Sequence, residues 1–359
     1  PLPVPARQRR VQQRSRQGDG EAPVKIVVDL VAHGPALTAL QKRSDVQIEW
    51  IARPEERARE LDPEVIRGAD ALFCMFPPTN HQVMRNLKWI QIASTGYTQL
   101  FGLDLPDRGV KATNARGCFD VPIAEWNIAM MVNLARNCPQ MHRNQQSHTW
   151  DRSAIFQNEI RGRTVGFWGY GGLARETARL AKHLGMTVHV LTRQGVKPRK
   201  DTYTVAGTGD PDGILPDRQF IAGEEQAFLQ TLDFLIVALP LTKSTEGLIG
   251  LRELQALRPS AFVLNPARGP IIQEPALLQV LRENTIAGAA IDTHYRYPMP
   301  AEHPLWDFPN VIFTPHIAGS SLSPRFKERV WDIFATNVDR FLCGESLLNE
   351  LTREQLAGE

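Results

Sequence analysis

Residues 161–193 read RGRTVGFWGYGGLARETARLAKHLGMTVHVLTR. Val165 to Trp168 are a short apolar run, predicted to be a buried strand. Gly169-Tyr170-Gly171-Gly172-Leu173-Ala174 follows as a tight turn of the form G-x-G-x-x-A. Leu173, Thr177, Leu180, Ala181 and Leu184 then recur at helical spacing. Gly185 supplies a helix stop, and Thr187 to Leu191 read as a second strand. Strand, glycine turn, helix, strand is the context in which a glycine pattern predicts dinucleotide binding rather than an ordinary turn. Gly169 permits the turn, Gly171 lets the backbone approach a pyrophosphate, and Ala174 is small enough for close helix–strand packing. The free amides at the helix start attract phosphate.

Upstream of this unit, ordered sequence is expected from Val24. Lys25–Leu30, Val46–Ile51, Ala71–Phe76 and Trp89–Ser94 read as strands with helical segments between, a small α/β unit of parallel-sheet character. Its last strand opens into Thr95-Gly96-Tyr97, at the carboxyl edge where open α/β sheets bind ligands. Asp120 to Arg136 reads as a long helix with Pro122 near its start, and residues 138–160 as a polar connection. Downstream, Gln194 to Glu224 lacks periodicity and is predicted to be a long exposed loop. Strands over Phe234–Ala238, Ala261–Leu264, Ile286–Ile291 and Val311–Phe313 then alternate with helical segments, ending in a helix over Ser323–Leu342.

Composition narrows the function classes. A chain of 359 residues suggests two domains. Apolar content of 42% with 26 Gly and 26 Pro fits a globular protein with many turns. Cys74, Cys118, Cys138 and Cys343 are far apart, so neither a disulfide framework nor a zinc site is signalled; no metal is expected. No apolar run reaches membrane-spanning length, and the first residues lack the apolar core of a secretory signal. A cytoplasmic protein is therefore expected. Residues 1–23 hold five arginines against two acids, which leaves the rest of the chain at −1 out of a total of +2. That basic stretch is read as a disordered tail in preference to an organelle-targeting or nucleic-acid-binding segment; no nucleic-acid partner is expected.

Three segments behind predicted strands carry the candidate chemistry: Asn265-Pro266-Ala267-Arg268-Gly269, Asp292 to Pro298 (DTHYRYP), and Thr314-Pro315-His316-Ile317-Ala318-Gly319. All three lie at the edge where the nicotinamide of a bound dinucleotide should sit. Arginine can clamp a carboxylate and polarise the adjacent carbonyl. Histidine exchanges a proton near neutral pH. Together they make reversible reduction of a 2-keto acid chemically sensible, whereas a lone Arg or His is usually structural.

From Val24 to Leu342 the chain resembles the D-isomer-specific 2-hydroxyacid dehydrogenases, a family that includes formate, glycerate and phosphoglycerate dehydrogenases. The resemblance is carried by GRTVGFWGYGGLARETARLAKHLGMTV, ALPLTKSTEGLIG, AFVLNPARGPIIQEPALLQVLREN, IAGAAID and HPLWDFPNVIFTPHIAG. It implies an α/β protein of two Rossmann-like, doubly wound parallel-sheet domains with the active site in the cleft between them. Residues 24–122 with 320–345 would form the substrate domain and 123–319 the dinucleotide-binding domain. A homodimer is also implied. Arg268 resembles the substrate-orienting arginine, His316 the acid/base, and Asp292 the residue that holds the nicotinamide carboxamide. The backbone of Thr95, Gly96 and Tyr97 resembles the carboxylate-receiving loop. Gly169, Gly171, Gly172, Leu173, Thr192, Arg193, Pro240 and Ala267 complete the implied cofactor contacts.

Two departures stand out. Thr192-Arg193 occupies the place where NAD-selective members put a ribose-binding acid, which favours NADP over NAD. Tyr297 stands before Pro298 where the family has Glu, or Gln in formate dehydrogenases, and a phenol brings no negative charge at neutral pH. The reading that results is an NAD(P)-dependent oxidoreductase acting on a small 2-keto or 2-hydroxy acid, of glyoxylate or hydroxypyruvate type. Arg268, His316 and Tyr297 are its catalytic residues. Alternatives are a catalytically weakened nucleotide-binding sensor or regulatory protein of the same fold, and a formate-dehydrogenase-like activity. Glu125 is the alternative acid that could support His316 in place of Tyr297.

Overall fold

In a computed structural model of the chain, residues 22–55, 57–153 and 157–358 are described. The basic tail expected over residues 1–23 lies, but for its last two positions, outside the described residues. The first sheet holds β1 (Val24–Asp29), β2 (Val46–Trp50), β3 (Ala71–Cys74), β4 (Trp89–Ile92) and β5 (Lys111–Thr113), in the order β2-β1-β3-β4-β5. The second holds β6 (Thr164–Trp168), β7 (Thr187–Thr192), β8 (Arg218–Ile221), β9 (Phe234–Val237), β10 (Phe262–Asn265), β11 (Gly288–Ile291) and β12 (Val311–Phe313), in the order β12-β11-β10-β9-β6-β7-β8. Strand pairs in both sheets are parallel. The protein is therefore the doubly wound α/β architecture expected from sequence. Strand order reverses between β1 and β3 and between β6 and β9, and such reversals leave a crevice at the carboxyl ends of the strands.

The strands form where they do because both of their faces are covered. ALFC and FLIV are buried at every position, which demands the continuous apolar runs seen in the sequence. On the first sheet the Pro324–Leu342 helix supplies much of the cover. Phe334 stacks on Phe73 with ring centroids 4.2 Å apart, and Trp331 meets Phe73 edge-on at 5.4 Å. That helix starts at Ser323, whose hydroxyl accepts from the Phe326 N–H at 3.2 Å. Leu347, Leu351 and Leu356, further along the chain, are buried as well.

The structure departs from the sequence reading in four places. Residues 138–160 are not simply a connection, because Cys138–Gln146 is a helix. The Gly172–His183 helix buries Ala174, Thr177, Ala178 and Ala181, while Leu184 is exposed. Small side chains let this helix sit close to the sheet. Gln194–Glu224 is not one uninterrupted loop, since Arg218–Ile221 is the edge strand β8, with a single buried residue. Nor is the remainder of that connection simply exposed. Asp210 is buried and accepts the Tyr170 hydroxyl at 2.8 Å, and Arg175 donates to the carbonyls of Lys197 (2.5 Å) and Asp210. The connection is thus fastened to the glycine turn. Its middle reaches the first sheet, where Asn349 donates to the Asp201 carbonyl at 3.1 Å and the Tyr203 N–H donates to Asn349 Oδ1 at 3.4 Å. Among the described residues no helix is long and apolar enough to cross a membrane.

Candidate active site

The glycine turn leaves β6 at the strand-order reversal. Gly169 has φ +92°, and a Cβ there would lie 2.6 Å from the Ala238 carbonyl oxygen, so the turn packs directly on the end of β9. At Gly171 nothing lies within 4 Å of where a Cβ would be. The backbone N–H groups of Gly172, Leu173 and Ala174 have no acceptor among the described residues, as at any helix start. At the end of β7, Thr192 Oγ1 is buried without a hydrogen-bond partner among the described residues. Arg193 beside it is exposed. Pro240 follows β9, its carbonyl accepting from Thr245 Oγ1 at 2.7 Å. Open backbone, free amides and an orphaned hydroxyl along one edge fit a dinucleotide.

Arg268 follows β10 and is positioned by Asn265. The Asn265 amide donates to the Arg268 carbonyl at 3.0 Å and accepts from the Ala267 N–H at 3.1 Å. The Arg268 guanidinium reaches the first sheet's loop: a Cβ on Gly96 would lie 2.9 Å from its Nη2. Its one hydrogen bond among the described residues is to the Ala267 carbonyl, at 2.6 Å. Burial draws its pKa down, with Tyr297 opposing. A desolvated guanidinium without a carboxylate is suited to receive an anionic substrate. The loop it faces is tied down through its carbonyls: Ser94 Oγ donates to the Gly96 carbonyl (2.7 Å) and Asn114 to that of Thr95 (2.8 Å). The N–H groups of Thr95, Gly96 and Tyr97 have no acceptor among the described residues.

His316 sits in a loop braced by Asp292. Asp292 Oδ1 accepts from the Thr314 hydroxyl (2.6 Å) and the Ile317 N–H (2.9 Å), and Oδ2 from the Ala318 N–H (3.1 Å). His316 itself has φ +58°, a left-handed conformation enforced by this bracing. Loss of solvation in the cleft lowers its pKa below the ordinary value, and Arg268 lowers it further; Asp292 opposes. The Tyr297 ring lies 5.5 Å from that of His316. Burial raises the Tyr297 pKa, so its hydroxyl keeps its proton at neutral pH.

Arg268, His316, Tyr297 and the Gly96 loop are thus drawn together, while Thr192 and Arg193 lie at the far end of the same edge, beyond the glycine turn. Asp292 is engaged in holding the His316 loop, with at most its remaining lone pairs left for a carboxamide. Glu125 is exposed on its helix and is not among the groups acting on His316. Sequence reasoning missed His294. Its Nε2 lies 2.7 Å from the Thr314 carbonyl, its ring stacks on Phe313 at 4.0 Å, and its backbone N–H donates to the Tyr297 hydroxyl. Position next to Tyr295 in DTHYRYP was the only available signal. Arg116 was missed too: its Nε is buried without a partner among the described residues. Among the described residues no three His, Cys, Asp or Glu side chains converge as a metal site would require.

Comparison with known proteins places this geometry in context. The family model described as D-isomer specific 2-hydroxyacid dehydrogenase, NAD binding domain, matches residues 128–318. The chain is 30% identical over 319 residues to the glyoxylate reductase of Thermococcus gammatolerans, covering 85% of this chain and 89% of that protein. It is 28% identical over 336 residues to the glyoxylate reductase of Thermofilum pendens, covering 89% and 92%. Among solved structures, a D-isomer specific 2-hydroxyacid dehydrogenase from Xanthobacter autotrophicus, in complex with NADPH and MES, shares the fold with a TM-score of 0.72 at 24% identity. That match covers 92% of this chain and 99% of the other.

Proposed function

The chain belongs to the D-isomer specific 2-hydroxyacid dehydrogenase family, and from that premise we propose that it reduces a small 2-keto acid of glyoxylate or hydroxypyruvate type, with NADPH preferred over NADH. It is an NAD(P)-dependent oxidoreductase with a dinucleotide-binding domain. The observation that carries the substrate reading is the contact of the unpaired Arg268 guanidinium with the Gly96 loop, whose amides are free. A carboxylate held there accepts from the N–H groups of Gly96 and Tyr97 while the guanidinium polarises the neighbouring carbonyl. His316, in its imidazolium form, donates a proton to the carbonyl oxygen. Tyr297, its ring 5.5 Å from that of His316, packs beside the imidazole without adding a charge. The glycine turn (Gly169, Gly171 and Gly172) and Asp292 would hold a nicotinamide cofactor, which would supply the hydride for the carbonyl carbon. In the oxidative direction His316 takes the hydroxyl proton back.

The same reading divides the chain into a substrate domain (24–122 with 320–345) and a coenzyme domain (123–319). It makes the protein a cytoplasmic homodimer joined through the coenzyme domains. Exposed Val132, Trp150 and Leu184 on the coenzyme unit and four free cysteines support this. A second reading, a nucleotide-binding sensor, is favoured by one observation: among the described residues Asp292 is the one acid acting on His316, and its oxygens already hold the loop. A panel of 2-keto acids, followed by loss of reduced-cofactor absorbance with each coenzyme, decides between them. Turnover of glyoxylate or hydroxypyruvate supports the reductase; tight coenzyme binding without turnover of any acid supports the sensor.

A further inference from the structure

Two charged side chains meet over the glycine turn, and neither belongs to it. A Cβ on Gly172 would lie 1.8 Å from Asp120 Oδ2 and 2.5 Å from Arg199 Nη1. The two side chains face each other at 3.5 Å and are largely covered. Asp120 comes from the start of the Asp120–Ala135 helix, Arg199 from the β7–β8 connection. We propose that Arg199 is a ligand of the cofactor diphosphate, held ready by Asp120, and that the coenzyme binds by replacing the Asp120 carboxylate on Arg199. The proposal rests on the dehydrogenase reading and adds to it a residue outside the glycine motif.

Three observations support it. First, Arg199 is placed by construction. Its backbone N–H donates to the Pro211 carbonyl at 2.8 Å, and the connection that carries it is fastened to the glycine turn by Tyr170 and Arg175. Second, the approach to the turn suits an anion. The lack of a side chain at Gly172 is what lets the Asp120 carboxylate and the Arg199 guanidinium reach the helix start, position 171 is open, and the first-turn amides have no acceptor among the described residues. Third, the local charge is unbalanced. Arg116, with its Nε buried and without a partner among the described residues, lies in the field of Arg199 and Asp120. Two guanidinium groups therefore act on the Asp120 carboxylate, whose pKa burial already pushes up, with Glu176 nearby adding to the rise. A diphosphate brings more negative charge than the carboxylate it replaces and offers pairs of oxygens that the planar guanidinium fork can engage in bidentate fashion.

The roles of Arg199 and Arg193 are separable by ligand. Arg199 acts on the diphosphate, common to NADH, NADPH and ADP-ribose, whereas Arg193 acts on the 2′-phosphate of NADPH. Reduced-cofactor fluorescence and calorimetric titration of NADH, NADPH and ADP-ribose, on wild type, Arg199→Ala, Arg199→Lys and Asp120→Asn, make the test. Arg199→Ala should weaken all three ligands alike, by about ten- to a hundredfold. Arg199→Lys should recover part of the loss, and Asp120→Asn should tighten all three several-fold. Binding of all three within twofold of wild type in Arg199→Ala, or a loss confined to NADPH, overturns the proposal. If Arg199→Ala proves to lower Tm without ligand, Asp120→Asn decides, because the arginine is intact there: tighter binding supports the exchange, equal or weaker binding overturns it. Wild type that binds none of the three ligands overturns the dehydrogenase reading, and this proposal with it.

Discussion

The His294 backbone N–H donates to the Tyr297 hydroxyl at 3.0 Å. That bond occupies an acceptor position of the phenol and leaves the phenolic proton free to be donated. The Tyr297 ring in turn lies 5.5 Å from His316. A carboxylate at this position would stabilise the imidazolium; the phenol is neutral and brings no compensating charge.

The pH dependence of keto-acid reduction follows from this. Desolvation and Arg268 both lower the His316 pKa from its ordinary value of 6.5. The imidazolium is the proton donor, so the reactive form is complete at acidic pH and is lost as pH rises through that lowered pKa. Tyr297→Glu adds a negative charge and should move the falling limb of kcat/KM upward by about one pH unit. His316→Asn should abolish most reduction across the range. Profiles of wild type and Tyr297→Glu that superimpose, measured at saturating coenzyme, would show that Tyr297 does not tune the histidine.

Arg268→Lys keeps a positive charge but loses the planar fork. Because Arg268 has no ion pair among the described residues to lose, folding should be little affected. We expect kcat/KM on the best keto acid to fall by about a hundredfold with Tm unchanged. A normal kcat/KM on that acid would remove Arg268 from the substrate site.

Arg193 is exposed at the end of β7, beside the orphaned Thr192 hydroxyl. Arg193→Ala should raise the Kd for NADPH by about tenfold or more and leave that for NADH nearly as it was. Fluorescence titration of both coenzymes checks this. Equal loss for the two, or a wild type that already prefers NADH, would contradict the assignment.

Asp292→Asn replaces two accepting oxygens by one oxygen and an amide that cannot accept. Asp292 takes three donors from the His316 loop, so at least one buried donor is left unsatisfied. The expected cost is about 1–3 kcal/mol, read as a lowered midpoint in denaturant, together with a lower kcat. A stability and a kcat both equal to wild type would mean that the loop does not depend on this brace.

Much of this protein was readable from its sequence because buried parallel strands must be continuous apolar runs. IVV, ALFC, WIQI and FLIV cannot satisfy their surroundings in another way, and a glycine turn between a strand and a helix has few uses. Arg268 and His316 were legible for a related reason: each follows within three residues an apolar parallel strand, buried in β10 and partly buried in β12, and the carboxyl edge of a doubly wound sheet is where ligands sit. The sequence was silent where burial leaves no periodic trace. β8 (RQFI) has one buried position and Cys138–Gln146 none, so neither shows an apolar period. Tertiary structure alone decided which charges meet. Asp120 and Arg199 lie 79 positions apart, on a helix start and an irregular connection, and nothing in either local pattern directs one toward the other. They meet because that connection is pinned by Tyr170 and Arg175 to the glycine turn and by Asn349 to the first sheet. Hydrogen bonds between distant residues have no period for a sequence to display.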